Sequence, residues 1–438
     1  MRIAWFTPFS NRSAIGEFSR HITDVLSDHA EVEIWTQDTG PLHPTELRVI
    51  GFSSSSPDLD LLPQRDVIVY NMGDHLPFHG HIHAVSQRYP GIVILHDRVL
   101  HHLFAGLWLM DPEPARQTYV DRMETFYGRQ GRDIAEASLL GERPPVWESD
   151  EEVLEYPLYE EALLHAIGTI THSEHQAEDV RERWLGPVRS LHLPCYADVL
   201  QRVEELPSPT ARSDGRLRLL SIGHVNPNKQ THRVVEILAA DPELAARVHY
   251  TIVGPTDDFY AYVADLQRLV ERNRDTLSVD ILGWRDDREL ERLMAETDVF
   301  VNLRHPVMEG SSASLMRQLA FGRPVVCFDE GLFGELPAEA AVQVPAGDFV
   351  AVAGALREIV FDADRRHLIG AAGRSVAESY TEARYVQGLL ELIEQARRAA
   401  PALSFLDRVA VELGRMGVDR RLPVFDGISD DFNRFLAI

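Results

Sequence analysis

Glu309 opens the run EGSSASLMRQLAFGRPVV, followed at once by Gly310, Ser311 and Ser312 and, eight residues on, by Arg317. Ser311 and Ser312 suit the N-cap of a helix, and Gly310 would let a ligand approach the backbone. The first turn of such a helix offers N–H groups without intrahelical partners and the positive end of the helix dipole. An acid just before those groups is badly placed against a phosphate and well placed against sugar hydroxyls. Capping or plain surface exposure is the alternative reading of Glu309. Arg317, expected early in this helix, would serve phosphates or form a salt bridge with Glu335 or Asp329.

A second stretch, SIGHVNPNKQTHRVV, ends a strand at Gly223 and turns through Asn226-Pro227-Asn228, placing Lys229 just ahead of a helix. A lysine there reaches a phosphate held near backbone N–H groups, if it is not simply a solvated side chain. Metal chemistry has weaker support. His75, His79, His81 and His83 fall within nine residues, but on a helix His81 points away from His75 and His79, so one closed site is awkward. No metal is expected. Asp58/Asp60 and Asp362/Asp364 read as solvated acids, and Cys195 and Cys327 as buried free thiols.

These residues need a scaffold. RIAWFTPF, EVEIWT, DVIVYN, GIVILHD and GTITHS are short β-rich runs separated by stretches long enough for crossover helices, as in IGEFSRHITDVL. The alternation restarts with LRLLSIG, VHYTIVG, LSVDILG, DVFVNL and PVVCF. Such a pattern implies α/β architecture with two doubly wound parallel sheets. The expected domains are 1–200, with a helical insertion at about 104–164; a linker at 201–214; a second domain at 215–400; and a helical tail at 401–438 packing back on the first domain. Ligands in such sheets bind beyond the carboxyl ends of the strands, which singles out TPFSNRSAIGE, YNMGDH, LHDRVLHH, SIGHVNPNKQ and LRHPVMEGSSAS.

The 438 residues carry a formal charge of −25, which argues against a nucleic-acid partner and against broad adhesion to anionic lipid. No run has the ~18–20 apolar residues of a membrane span, and the opening MRIAWFTPFS lacks the marks of a signal peptide. A cytoplasmic protein is expected.

Gly223 and Lys229, followed some eighty residues later by EGSSASLMRQLAFGRPVV, resemble the donor half of the retaining glycosyltransferase family 4, with the GT-B fold. The resemblance runs from AIGEFSRHI to YTEARYVQGLLELIE. It implies two Rossmann-like domains facing across a cleft, the first on the acceptor side and the second binding a nucleotide-diphospho sugar. It implies that Lys229 and His224 bind the donor diphosphate, with Gly223 beside them, and that backbone N–H groups around Ser314 and Leu315 meet the phosphates. Glu309 would contact the donor sugar, His96 would stand at the reaction centre, and Gly16 would lie against the diphosphate or acceptor. Acceptor contacts fall to Asn11, Arg12, Asp74, His75 and Asp97. No cofactor is implied, since the nucleotide sugar is a co-substrate.

Two positions depart from the family's pattern. Arg317 stands where a second acid commonly accepts hydrogen bonds from ribose, which an arginine cannot do. His224 stands where arginine is common. One adjustment accounts for both if Arg317 supplies the cation weakened at 224. The expected activity is a metal-independent, hexosyltransferase-type retaining transfer to a hydroxyl acceptor, by a front-face route in which the leaving phosphate helps deprotonate the acceptor. The alternatives are a silent sugar- or nucleotide-binding subunit and another GT-B enzyme such as a sugar-nucleotide epimerase or a phosphorylase.

Overall fold

The computed structural model describes residues 1–109, 115–206, 212–257 and 259–416. These form two compact units: Met1–His192 with Met308–Ser311 and the chain from Ala383 on, and Leu193–Val307 with Ser312–Glu382.

The first unit is built on β1 (Arg2–Phe6), β2 (Glu31–Thr36), β3 (Arg48–Gly51), β4 (Val67–Met72), β5 (Ile92–Leu95), β6 (Gly168–Thr171) and β7 (Val188–Ser190). They lie in the order β3-β2-β1-β4-β5-β6-β7, every pair parallel. The central strands β4 and β5 are buried along their whole length, which is why they read as unbroken apolar runs. Phe6 packs on Trp35, Phe52 and Tyr70 with ring centroids 5.3, 4.8 and 5.2 Å away. The expected insertion is helical, with helices at His101–Leu109, Ala115–Leu139, Asp150–Glu155 and Tyr159–Leu163. Gly128, at φ 68°, kinks the longest of them, and Gly141, at φ 72°, follows its end.

The second unit holds β8 (Leu217–Ile222), β9 (Val248–Val253), β10 (Val279–Gly283), β11 (Val299–Val301), β12 (Val325–Asp329) and β13 (Val342–Pro345). Their order is β10-β9-β8-β11-β12-β13, again all parallel. In each sheet the order reverses beside the first strand, between β1 and β4 and between β8 and β11. Those are the crevices where open α/β sheets bind ligands.

The chain leaves and rejoins the first unit at points other than the sequence suggested. The helix Ala197–Glu205 belongs to the second unit, so the expected linker at 201–214 begins inside a helix, and its positions 207–211 lie outside the described residues. The helix Glu382–Arg415 joins the first unit from Ala383, ahead of Pro401, and buries Tyr385, Leu389, Leu392 and Ile393. Of the expected tail, 417–438 lies outside the described residues. Among the described residues no helix is long and apolar enough to cross a membrane.

Candidate active site

In the second unit, Ser221, Gly223, His224, Lys229, Thr231, Asn302 and Leu303 line a small pocket at the crevice between β8 and β11. Asn226 caps the turn that presents Lys229, its Oδ1 accepting from the Lys229 N–H at 3.2 Å. Gly223 has φ +120°, and a β-carbon there would lie 3.5 Å from Lys229 Nζ. The glycine thus supplies the backbone turn, and the lysine amine lies over it. Behind it, Gly254 at φ +153° has no room for a side chain, since a β-carbon would fall 1.9 Å from the Gly223 carbonyl oxygen. His224 is exposed.

The helix Ala313–Ala320 starts beside the same crevice. Ser312, and not Ser311, is its N-cap, accepting from the Leu315 N–H at 3.2 Å. Arg304, which the sequence reading passed over, joins the two parts. Buried at the end of β11, it donates to Asn302 Oδ1 at 3.3 Å, Ser312 Oγ at 3.2 Å and Ser314 Oγ at 3.0 Å, with its guanidinium 5.6 Å from the centre of the Phe333 ring. An arginine three residues past a buried strand, in the loop where such sheets bind ligands, is the signal that could have found it.

Arg317 needs correcting. It stands in the last turn of this short helix, where a cation complements the negative end of the dipole, and not at the anion-binding start. Its ion-pair partners are Asp287 at 3.7 Å and Glu291 at 3.8 Å, both from the helix Asp287–Ala295, in place of the expected Glu335 or Asp329.

In the first unit the polar residues gather at the ends of β4 and β5. His96 is buried, and both ring nitrogens meet protein groups: Nε2 lies 2.9 Å from Asn71 Oδ1 and Nδ1 lies 3.2 Å from His172 Nε2. Contact with substrate through this ring would need one of those bonds released. Burial, then the neighbouring His172, pushes its pKa well below the ordinary histidine value. The next residue, Asp97, forms a backbone bridge with Glu309, and the Gly310 N–H donates to the His96 carbonyl at 3.2 Å.

Burial, with the Asp74 carboxylate beside it and Glu309 nearby, raises the Asp97 pKa to about 7, although its Oδ2 accepts from the Asp74 N–H at 2.8 Å. Asp74 is itself raised by burial, against the pull of His102, whose Nδ1 lies 2.5 Å from its Oδ2. An acid held near neutrality exchanges protons at cellular pH. The structure therefore brings His96, Asp97, Asp74, Glu309 and Gly310 together in this unit, along with His172, Asn71 and Gln176, which the sequence did not single out.

The glycines here have packing reasons. A β-carbon on Gly310 would meet Gln176 Oε1 at 2.4 Å and the His96 carbonyl at 3.0 Å, so the space left by the missing side chain is filled by protein. One on Gly16 would meet His43 at 2.9 Å and the Pro8 carbonyl at 3.0 Å. Asn11, Arg12 and His75 are exposed. The histidine cluster divides: His79 is buried with Nδ1 3.1 Å from the Asn71 carbonyl, His83 is buried 3.9 Å from Glu161, and His81 is exposed beside Ser54.

Residues 216–362, from β8 through the helix Phe349–Phe361, match the family model described as Glycosyl transferases group 1. No curated protein matches the chain. Among solved structures, a sucrose-phosphate synthase from Thermosynechococcus elongatus superposes with a TM-score of 0.57 at 16% identity, over 91% of this chain and 100% of that one. HepE from Anabaena, in complex with UDP, gives 0.60 at 15% identity, over 90% and 100%. The trehalose-6-phosphate synthase OtsA gives 0.61 at 13% identity, over 90% and 99%. The matched stretch, residues 216–362, is the part that carries the Gly223–Lys229 pocket, and the two parallel sheets of the chain are those of the GT-B fold.

Proposed function

We propose that this protein is a retaining glycosyltransferase that moves a hexosyl group from a nucleotide-diphospho sugar to a hydroxyl acceptor without a metal. The observation that carries the reading is Lys229 lying over the side-chain-free Gly223 at the crevice between β8 and β11, within the matched domain. HepE, solved with UDP-glucose, supports a nucleotide sugar as the donor.

In this reading Lys229 and the N–H groups around Ser314 and Leu315 take the charge that grows on the leaving diphosphate. The buried Arg304 fixes Ser312 and Ser314 where those groups begin. Preorganised charge of this kind stabilises the transition state without reorganising during the reaction. Glu309 binds hydroxyls of the donor sugar. Asp74 and Asp97 meet the acceptor hydroxyl, and the leaving phosphate oxygen receives its proton. His96 acts from behind, because its carbonyl holds Gly310 and its ring bonds only protein groups.

The test is a thermal-shift and product-release screen against UDP-, GDP-, ADP- and TDP-sugars, with Glu309→Ala as control. Stabilisation and slow hydrolysis by one sugar nucleotide, with hydrolysis lost in the control, is the expected result. Binding without turnover, even with acceptors supplied, would make the protein a silent binding subunit. That second reading draws on Arg317, which sits where ribose recognition needs an acceptor and is paired with Asp287 and Glu291.

A further inference from the structure

A series of hydrogen-bonding positions runs through two buried rings of the first unit. Asn71 donates its Nδ2–H to the Phe6 carbonyl at 2.9 Å, which turns its Oδ1 toward His96 Nε2, also 2.9 Å away. His96 Nδ1 lies 3.2 Å from His172 Nε2, and His172 Nδ1 lies 3.0 Å from the Leu191 carbonyl. Both end groups, Asn71 Oδ1 and Leu191 O, only accept. Each needs a ring N–H, and the contact between the rings needs another. Two neutral imidazoles carry one N–H apiece, so the series is one proton short. Turning the Asn71 amide over does not help, because its oxygen would then face the Phe6 carbonyl.

We propose that His96 and His172 form a single one-proton site, with the proton shared between His96 Nδ1 and His172 Nε2, and that His172 is the positioning residue through which His96 serves the transfer. The functional half of this proposal rests on the transferase reading above. The shared charge lies one hydrogen bond behind Gly310 and beside the Asp97–Glu309 backbone bridge. A change in the pair's protonation therefore reaches the two acids assigned to the substrates.

The ionisable groups around the pair come from several elements. His79, from the helix Leu76–Ser86, bonds the Asn71 carbonyl and is pushed by burial to about 4. Tyr385, from the helix Glu382–Arg415, has its ring 5.8 Å from His172, and burial raises it well above its ordinary value. Both are uncharged near neutral pH. His192, beyond β7, opposes a charge on His172, and Asp97 follows His96 in the chain. The edge of Phe18 closes the site, 4.9 Å from His96 and 5.5 Å from His172 between centroids. Burial opposes proton uptake by either ring. The unmade hydrogen bond favours uptake by the pair.

The decisive measurement is ring nitrogen-15 NMR of histidine-labelled protein, titrated from about pH 8 to 4.5, in the wild type and in His172→Gln. Glutamine offers His96 Nδ1 an N–H, so His96 keeps its Nε2–H toward Asn71 and the shortage at that ring disappears. In the wild type the two rings should change together and take up one proton between them. In His172→Gln the His96 step should fall by at least one pH unit, a tenfold loss of proton affinity. Asn71→Ala removes the opposite acceptor and should lower the wild-type step likewise, which covers a failure of His172→Gln to fold. Rings that titrate independently, a step unmoved in both variants, or no uptake above pH 4.5 would overturn the proposal.

Turnover is read separately. Wild-type kcat should fall as pH rises through the shared step while KM stays level, and His172→Gln should lose that dependence. A shared proton in a protein that turns over no sugar nucleotide would leave the site standing and remove the transferase reading. Turnover with independently titrating rings would do the reverse.

Discussion

The polar site of the second unit, at the crevice between β8 and β11, and that of the first, at the ends of β4 and β5, are furnished differently. Between β8 and β11 stand small residues, a half-buried lysine and a capped helix start. Beyond β4 and β5 stand buried imidazoles and crowded carboxyls, with His79 and His172 pushed to about 4 and Asp97 to about 7. The first arrangement suits holding an anion whose charge does not change. The second suits groups that change protonation, because burial moves a pKa most. One fold unit used twice can thus divide binding and proton handling between its copies, according to how deeply the polar groups lie.

The largest expected effect falls on the binding side. Lys229→Ala should lower kcat/KM for the sugar nucleotide by about 10²–10³, the usual loss for one charge-stabilising group, with little change in melting temperature. An equal loss from Asp97→Asn, with Lys229→Ala nearly silent, would break the division. Steady-state kinetics of the two variants decide it.

Two glycines sharpen the contrast in stability. Gly254→Ala would force a β-carbon to 1.9 Å from the Gly223 carbonyl oxygen at φ +153°, so backbone must move; we expect a cost of about 3 kcal/mol. Gly310→Ala meets chiefly a side-chain end, the buried Gln176 amide at 2.4 Å, which can turn aside at the expense of its hydrogen bond to the Asp97 carbonyl, and should cost less, about 1–2 kcal/mol. Urea unfolding of both variants gives the ranking.

The sequence was legible where burial is two-sided. Each of the ten expected strands is present, and the three it omitted, β3, β7 and β13, are all sheet edges. An edge strand pairs on one side only, so RVIG and VRS stay partly exposed and carry no apolar run. The site was legible by the same rule in reverse. Gly223, Lys229 and Ser312 announce themselves by local turn and cap chemistry. Asn71 and His172 act through partners far along the chain, as His172 does with His96 across 76 residues, and no local pattern reports such a pairing.

Acid dependence separates the first unit further. Burial raises Asp97 and Glu161 to about 7 and lowers His79, His83 and His101 to about 4. The raised acids favour the folded state at low pH and lose that contribution as pH rises through 7; the depressed histidines contribute above 6.5 and lose it as pH falls through 4. Between about pH 4.5 and 6.5 the two sets oppose, and the depressed histidines outnumber the raised acids. Asp97→Asn removes one counterweight. Stability should then fall on acidification more steeply by about 1.4 kcal/mol per pH unit, and the variant should exceed the wild type by about 1–3 kcal/mol at pH 7. Urea unfolding across that pH range measures both. An unchanged slope would mean that Asp97 is ionised in the folded protein, and the first unit would lose one of its proton-exchanging groups.

Arg317 should give the smallest effect, and it tests the boundary of the binding side. Its partners lie at 3.7 and 3.8 Å, and Asp287 is 87% exposed, so water screens much of the attraction. A cation in the last turn also gains from the helix dipole, by about 0.3–1 kcal/mol. Arg317→Met should therefore cost under about 1 kcal/mol, and, with the arginine turned toward Asp287 and Glu291, leave KM for the sugar nucleotide within about twofold. A rise in KM of tenfold or more, at unchanged melting temperature, would show that the side chain leaves those acids for the nucleotide. The anion site would then extend from the start of the helix Ala313–Ala320 to its end, and Arg317 would belong to recognition and not to the anchoring of the helix.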